Sequence, residues 1–167
     1  MNNQGSNAKN NGTVFEKEVS GFLKDCGYSL GKLTYKSLDH NKKERPLDVY
    51  VDCQNIAVEC KHYKAWGSKV QNYCWDIYNA AKCIPCDRYY AVWSFTDTTG
   101  KTGKCFNRAV EMAAEMSKSS GKDIQVVTWN EFKSIVDKGF PRHRNSAVSW
   151  VTKFWRNKND KRRFGIN

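Results

Sequence analysis

The chain has 167 residues, of which 40% are hydrophobic, which is enough for the core of one domain and too many for a disordered protein. Its 28 Lys and Arg residues outnumber 17 Asp and Glu, and the formal charge of +11 favours an anionic partner, nucleic acid first. No apolar run approaches the roughly 18 residues of a membrane span, so no membrane association is expected.

The N-terminal residues have no apolar signal core, which predicts that the chain is not secreted. Seven cysteines, an odd number, fit free thiols in a reducing compartment better than a disulfide framework. We therefore expect a cytoplasmic or nucleoid-associated protein.

Polar residues rich in Asn, Gly and Ser predict a disordered lead-in over 1–12. An apolar stripe at helical spacing then predicts the first helix, formed by Phe15, Val19, Phe22, Leu23 and Cys26. Gly27 should end this helix in a left-handed conformation. A strand is expected around 28–36, followed by a basic loop over 39–45.

The next two segments alternate with period two, which is typical of strands. In the first, Leu47, Val49 and Val51 should face one way, and Asp48 and Tyr50 the other. In the second, Ile56, Val58 and Cys60 should share one face, and Ala57, Glu59 and Lys61 the other. The short turn at 53–55 predicts a hairpin that aims the two carboxylates and the lysine at one face.

The rest of the domain alternates helices with strands. We predict a helix at 68–82, a strand at 88–95, a helix at 104–118, a strand at 124–129 and a helix at 131–138 capped by Asn130. The order α-β-β-β-α-β-α-β-α predicts one α/β domain over 13–140, with a central mixed sheet flanked by helices.

The predicted metal and phosphate chemistry depends on three residues, Asp48, Glu59 and Lys61. Two carboxylates projecting together repel each other, and a divalent cation resolves that conflict; hard oxygen ligands suit Mg²⁺ or Mn²⁺. Such a metal polarises a phosphate and lowers the pKa of a bound water. The Lys61 ammonium then orients that water or offsets charge on the phosphoryl oxygens. The alternative is a solvated strand face with an incidental pair between Glu59 and Lys61.

The segments PLDVYV (46–51) and IAVECK (56–61) resemble the core motif of the PD-(D/E)XK nuclease superfamily, with Leu47 inserted between Pro46 and Asp48. The segment from Gly12 to Glu16 resembles the first helix of archaeal Holliday-junction resolvases and Mrr-type restriction endonucleases. The likeness covers residues 12–138. It implies a restriction-endonuclease-like core with the order αβββαβ.

The resemblance also implies further site residues. Glu16 would join Asp48 and Glu59 in holding the metal; on a helical wheel Glu16 and Glu18 flank the apolar stripe about equally, and the family's spacing from the glycine favours Glu16. Related nucleases place a glutamine near the site in the helix after the motif. Gln71 therefore either contacts the site or is a surface amide.

The segment after residue 140 has a different character. Residues 141–167 hold eight cations and one acid, interleaved with aromatic residues including Trp155. We predict that this extension binds nucleic acid through phosphate contacts and base stacking, or docks as an amphipathic helix on the domain or a second subunit. Its cations are Arg142, Arg144, Lys153, Arg156, Lys158, Lys161, Arg162 and Arg163.

Four cysteines form a second candidate metal site. Cys83 and Cys86 form a CxxC, with Cys74 before it and Cys105 after it. Four thiolates are able to hold zinc or an iron–sulfur cluster. Because Cys74 lies on an apolar helix stripe and no second CxxC is present, free thiols are the alternative.

These observations predict a magnesium-dependent endonuclease that hydrolyses phosphodiester bonds in duplex or branched DNA, either selecting a structure or recognising a site. Cutting both strands of a duplex is simplest with two symmetric sites, so we expect a homodimer. The alternatives are a non-catalytic DNA-binding or assembly protein that keeps the fold, and an RNA nuclease.

Overall fold

A computed structural model of the chain describes residues 4–38, 44–62, 73–94 and 100–140. The helices are α1 (Gln4–Asp25), α2 (Tyr73–Lys82), α3 (Gly100–Ser120) and α4 (Trp129–Asp137). The strands are β1 (Leu30–Gly31), β2 (Thr34–Lys36), β3 (Glu44–Pro46), β4 (Val49–Val51), β5 (Ile56–Lys61), β6 (Arg88–Trp93) and β7 (Asp123–Thr128).

Five of these strands form one mixed sheet in the order β1-β4-β5-β6-β7. The β4–β5 hairpin is antiparallel, whereas β5, β6 and β7 run parallel to one another. Each parallel connection passes through a helix, α2 before β6 and α3 before β7, as parallel strands require. The predicted α/β class, with a central mixed sheet flanked by helices, is confirmed.

The two faces of the sheet pack against different helices. One cluster joins the α1 stripe and α4 to the inward residues of β4 and β5, and it includes Val49, Val51, Ile56, Val58 and Cys60. The other cluster joins α2 and α3 to the opposite face, where Ala57 and Ala91 lie. This division confirms most of the predicted alternation and covers both faces with apolar residues.

The prediction for Leu47 is wrong. Leu47 packs in the cluster that contains Ala57, not with Val49 and Val51. Strand β4 begins only at Val49, and the Leu47 N–H donates a hydrogen bond of 3.0 Å to the Leu33 carbonyl instead. Strict alternation applies within a regular strand and does not extend to a residue before it.

A second ladder was also missed. Strands β2 and β3 pair antiparallel, with Tyr35 opposite Arg45, so the end of the predicted 39–45 loop is a strand. Residues 39–43 lie outside the described part of the chain. Strand β3 is polar and exposed throughout. Because it has no buried face, its sequence lacks the alternation of apolar and polar residues from which a strand is predicted.

Both ends of α1 bear on the predictions. The helix begins at Gln4, whereas the composition predicted a disordered lead-in over 1–12. Once the packed part of a helix has formed, each further residue at its N-terminal end costs the conformational freedom of that residue alone, so the helix extends beyond its packed stripe. The predicted end at Gly27 is confirmed. Gly27 has φ +84°, and the N–H groups of Gly27 and Tyr28 donate to the Lys24 and Leu23 carbonyls.

Replacing Gly27 with alanine should lower the free energy of unfolding by about 1 kcal/mol, because a β-carbon strains the left-handed conformation. Gly21 is the matched control within α1. A β-carbon there meets no atom within 4 Å, so Gly21→Ala should stabilise the protein by about 0.5–1 kcal/mol. Urea denaturation measures both, and equal effects of the two substitutions would contradict this assignment.

Helix α4 is capped by Thr128, not by Asn130. The Thr128 hydroxyl accepts a hydrogen bond of 3.3 Å from the Glu131 N–H, and the Glu131 carboxylate accepts one of 2.7 Å from the Thr128 N–H. The helix starts early because Trp129 is buried against α1.

Within the described ranges, no helix is long and apolar enough to cross a bilayer.

Candidate active site

Asp48 and Glu59 meet across the β4–β5 hairpin. The β4–β5 ladder ends where Val49 pairs with Val58, and Asp48 and Glu59 are the residues adjacent to this last pair, close enough for the Asp48 charge to raise the pKa of Glu59. The Asp48 Oδ2 atom accepts a hydrogen bond of 2.7 Å from the Cys60 N–H. Asp48 is therefore held by the backbone of the strand that carries Glu59, just before β4 begins.

Lys61 completes this group. It lies two residues after Glu59 on β5, so both side chains project from the same face of the sheet. The Lys61 Nζ atom is 2.7 Å from Glu59 Oε1 and 2.8 Å from Asp76 Oδ2. All three side chains are mostly buried, with 15–18% of their surface exposed. The structure thus places the ammonium between two carboxylates.

Asp76 was not predicted from the sequence. It lies in the first turn of α2, where an acid usually signals an interaction with the helix dipole. Its helical neighbours Tyr73 and Ala80, three residues before and four after, are both buried. An acid between two buried positions on one helix face is the signal that would have identified it.

The carboxylates lie in an environment that disfavours their ionised forms. Burial raises the pKa of Glu59 to about 7; the Lys61 charge opposes this shift, and Asp48 and Asp76 add to it. Burial also raises the pKa of Asp48 to about 6, against the Cys60 N–H bond and Lys61. One ammonium does not offset three neighbouring carboxylates, so the site favours a further cation.

Lys61 remains protonated in this setting. Burial alone lowers the pKa of Lys61, but the Glu59 and Asp76 carboxylates outweigh burial and hold that pKa above its usual range. Lys61 therefore acts as a fixed positive charge and a hydrogen-bond donor.

The structure separates Glu16 from Glu18. The Glu18 Oε1 atom accepts a hydrogen bond of 2.9 Å from the Trp129 indole, which ties Glu18 to α4. Glu16 is half-buried, and its charge contributes to the raised pKa of Asp48. Of the two acids, Glu16 is the one whose charge acts on Asp48. The other predicted contact, Gln71, lies outside the described residues.

The carboxylates fit a divalent metal by their chemistry. Mg²⁺ is commonly held by one or two carboxylates and keeps several waters, and Asp48 and Glu59 supply such a pair of hard oxygen donors. Among the residues placed in the structure, no three His, Cys, Asp or Glu side chains converge into a metal-binding cluster. Glu16 is therefore not gathered into a ready-made ligand set with the pair.

The cysteines do not form the second metal site within the same described ranges. All seven are free thiols, and no such cluster includes Cys74, Cys83, Cys86 and Cys105. Burial raises the pKa of the Cys83 and Cys86 thiols, and the nearby Lys122 charge opposes this shift without cancelling it. The Lys122 ammonium donates hydrogen bonds to the Ala80 and Ile84 carbonyls at the end of α2.

The predicted nucleic-acid-binding extension, residues 141–167, lies outside the described part of the chain. No protein-family model, curated protein or solved structure matches the sequence.

Proposed function

We propose that this protein is a metal-dependent DNA endonuclease with a restriction-endonuclease-like core that hydrolyses phosphodiester bonds. The observation that carries the proposal is the Lys61 ammonium, 2.7 Å from Glu59, together with a second, half-buried carboxylate, Asp48, just before the paired strand. The charge of +11 supports a polyanionic substrate. The helix α1, the hairpin, α2 and β6 follow one another in the order expected of such a core.

Asp48 and Glu59 would hold Mg²⁺ or Mn²⁺, with Glu16 near enough to influence Asp48 electrostatically. When bound, the metal supplies a polarised phosphate and a water of lowered pKa. The chain's own residues do the rest. Lys61 donates a hydrogen bond that orients the attacking water and offsets charge on the phosphoryl oxygens, and it does not act as a base because it stays protonated.

The position of Lys61 is set by two anchors. Glu59 and Asp76 approach the ammonium from different elements, β5 and α2. Fixing a long, flexible lysine side chain before substrate arrives removes an ordering cost from the reaction. Asp76 is therefore a positioning residue, which acts on the reacting atoms only through Lys61.

The test incubates the protein with plasmid DNA, a four-way junction and single-stranded RNA, each with magnesium or with chelator. We expect metal-dependent cleavage of DNA that is lost in Asp48→Ala and retained in Asp137→Ala, an exposed acid at the end of α4. Light scattering on the same samples measures whether the active species is the homodimer that double-strand cutting favours.

The outcomes separate the rival functions. Cleavage of RNA alone would replace the proposal with an RNA nuclease. DNA binding without cleavage, unaffected by Lys61→Ala, would indicate a non-catalytic binding or assembly protein. Wild type indistinguishable from Asp48→Ala on every substrate would overturn the enzymatic proposal.

A further inference from the structure

A groove of about 530 Å³ opens beside Asp48. Its walls come from α1, from the turn that joins β1 to β2, and from residues 46–50 at the start of β4. The volume lies within the roughly 300–1,000 Å³ typical of ligand sites. The groove therefore leads to one of the two proposed metal ligands, along the β1 edge of the sheet.

The groove combines cations with apolar surface. Lys24 on α1 and Lys32 in the β1–β2 turn are exposed lysines on its walls. Among the described residues that line it, Asp48 is the only acid. A groove with two exposed lysines and a single carboxylate suits a phosphate-bearing ligand better than a cationic or neutral one.

The apolar part has a flat aromatic component. Tyr50 lines the groove and is half-buried, and its hydroxyl is fixed at 3.3 Å from Asn55 Oδ1. Gly31 makes room for this ring, because a β-carbon at residue 31 would lie 3.1 Å from Tyr50 Cδ1. Lysines beside an aromatic ring are the combination that single-strand-binding proteins use, with phosphates on the cations and bases on the ring.

We propose that this groove binds an unpaired nucleic-acid strand, with phosphates at Lys24 and Lys32, a base against Tyr50, and the following phosphate delivered to Asp48. The last element rests on the proposed function; binding in the groove does not. A groove of this volume accommodates a nucleotide or two and excludes a duplex from its interior. The site would thereby select DNA with an unpaired segment, such as a flap or a branch point.

The test measures binding of a fluorescein-labelled single-stranded oligodeoxynucleotide by anisotropy, in chelator, over a range of salt concentrations. The full-length variant Lys24→Gln/Lys32→Gln is compared with Lys118→Gln/Lys138→Gln, which removes the same charge from exposed lysines outside the groove. The groove variant should bind roughly tenfold more weakly. Its slope of log affinity against log salt should be smaller by about 1.4, since each single-strand phosphate contact contributes about 0.7.

Tyr50→Leu tests the stacking surface without changing charge. We expect at least a fivefold loss of single-strand affinity with an unchanged salt slope, because stacking does not release counterions. Circular dichroism and thermal melting of each variant verify that the fold is retained. An RNA oligonucleotide of the same sequence serves as a second probe and determines whether the strand chemistry is specific for DNA.

Three results would overturn the inference. These are equal affinities of the groove and control lysine variants, an unchanged affinity in Tyr50→Leu, and an equal loss of affinity for a matched duplex. Because all binding is measured in chelator, absence of cleavage contradicts the proposed function without affecting the groove. Conversely, cleavage that persists in the groove variants at saturating DNA leaves the catalytic assignment intact.

Discussion

Replacing Lys61 with methionine is expected to lower the single-turnover rate of DNA cleavage by about 10²–10³-fold, the usual effect of removing one preorganised donor from a transition state. Methionine keeps most of the side-chain volume and removes the charge. It also leaves Glu59 and Asp76 facing each other without the ammonium that now lies 2.7 and 2.8 Å from them. Lys61→Arg should recover little, because a planar guanidinium does not fit the same two contacts.

The measurement is a single-turnover time course at saturating protein and magnesium, at pH 8. Lys82→Met is the matched control, since Lys82 is an exposed lysine in the last turn of α2, and it should change the rate less than twofold. Urea denaturation of each variant determines how much of the change comes from unfolding. A Lys61→Met rate within threefold of wild type would exclude Lys61 from the reaction.

Asp76→Asn distinguishes positioning from catalysis. Lys61 keeps its contact with Glu59 but loses its second anchor, so we expect a smaller reduction in rate, about tenfold. The effect should fall on the rate at saturating DNA and not on the affinity for DNA. A variant that merely destabilised the fold would instead lower the fraction of active protein and leave the rate per active molecule unchanged.

The metal-free protein should lose stability as the pH rises from about 4.5 to 8. Burial raises the pKa of Glu59 from 4.5 to about 7, so in this window the folded protein binds more protons than the unfolded chain. Stability from this group is complete below the unfolded pKa and is lost as the pH rises through the folded one. A shift of this size corresponds to about 3 kcal/mol, at about 1.4 kcal/mol per pKa unit. Asp48, with a pKa of about 6, acts in the same direction.

Glu59→Gln isolates this effect because glutamine has nearly the same shape and does not titrate. Urea denaturation in chelator should show the variant gaining about 3 kcal/mol relative to wild type between pH 4.5 and pH 8. Parallel pH profiles for the two proteins would contradict a desolvated Glu59 carboxylate.

Divalent metal should reverse the loss at high pH, since it stabilises the ionised carboxylates. At pH 8, Mg²⁺ or Mn²⁺ at about 100 times its dissociation constant should raise the free energy of unfolding of wild type by about 2.7 kcal/mol. Glu59→Gln should gain much less at the same ionic strength. This readout needs no cleavage, so it tests metal binding separately from catalysis.

The site was predictable to the extent that it is local. Asp48, Glu59 and Lys61 lie within 14 residues on a hairpin, and an alternating apolar face identifies which side chains share the other face. Helix ends are local in the same sense, which is why Gly27 was found. Predictions from local patterns were wrong where the folded structure changed the local geometry. Leu47 joins the opposite face because it precedes the strand, and Thr128 displaces Asn130 as cap because Trp129 is drawn into the core.

By itself, the sequence determined the α/β class, the hairpin that carries the two carboxylates and the lysine, and the concentration of positive charge. Only the tertiary structure decided what surrounds them. Packing of α2 brings Asp76 to 2.8 Å from Lys61, and packing of α4 ties Glu18 to Trp129, whereas the Glu16 charge acts on Asp48. The tertiary structure also decided how readily the two carboxylates ionise, because the raised pKa values of Asp48 and Glu59 come chiefly from burial. Burial depends on the helices that cover the sheet and not on the spacing of residues along the chain.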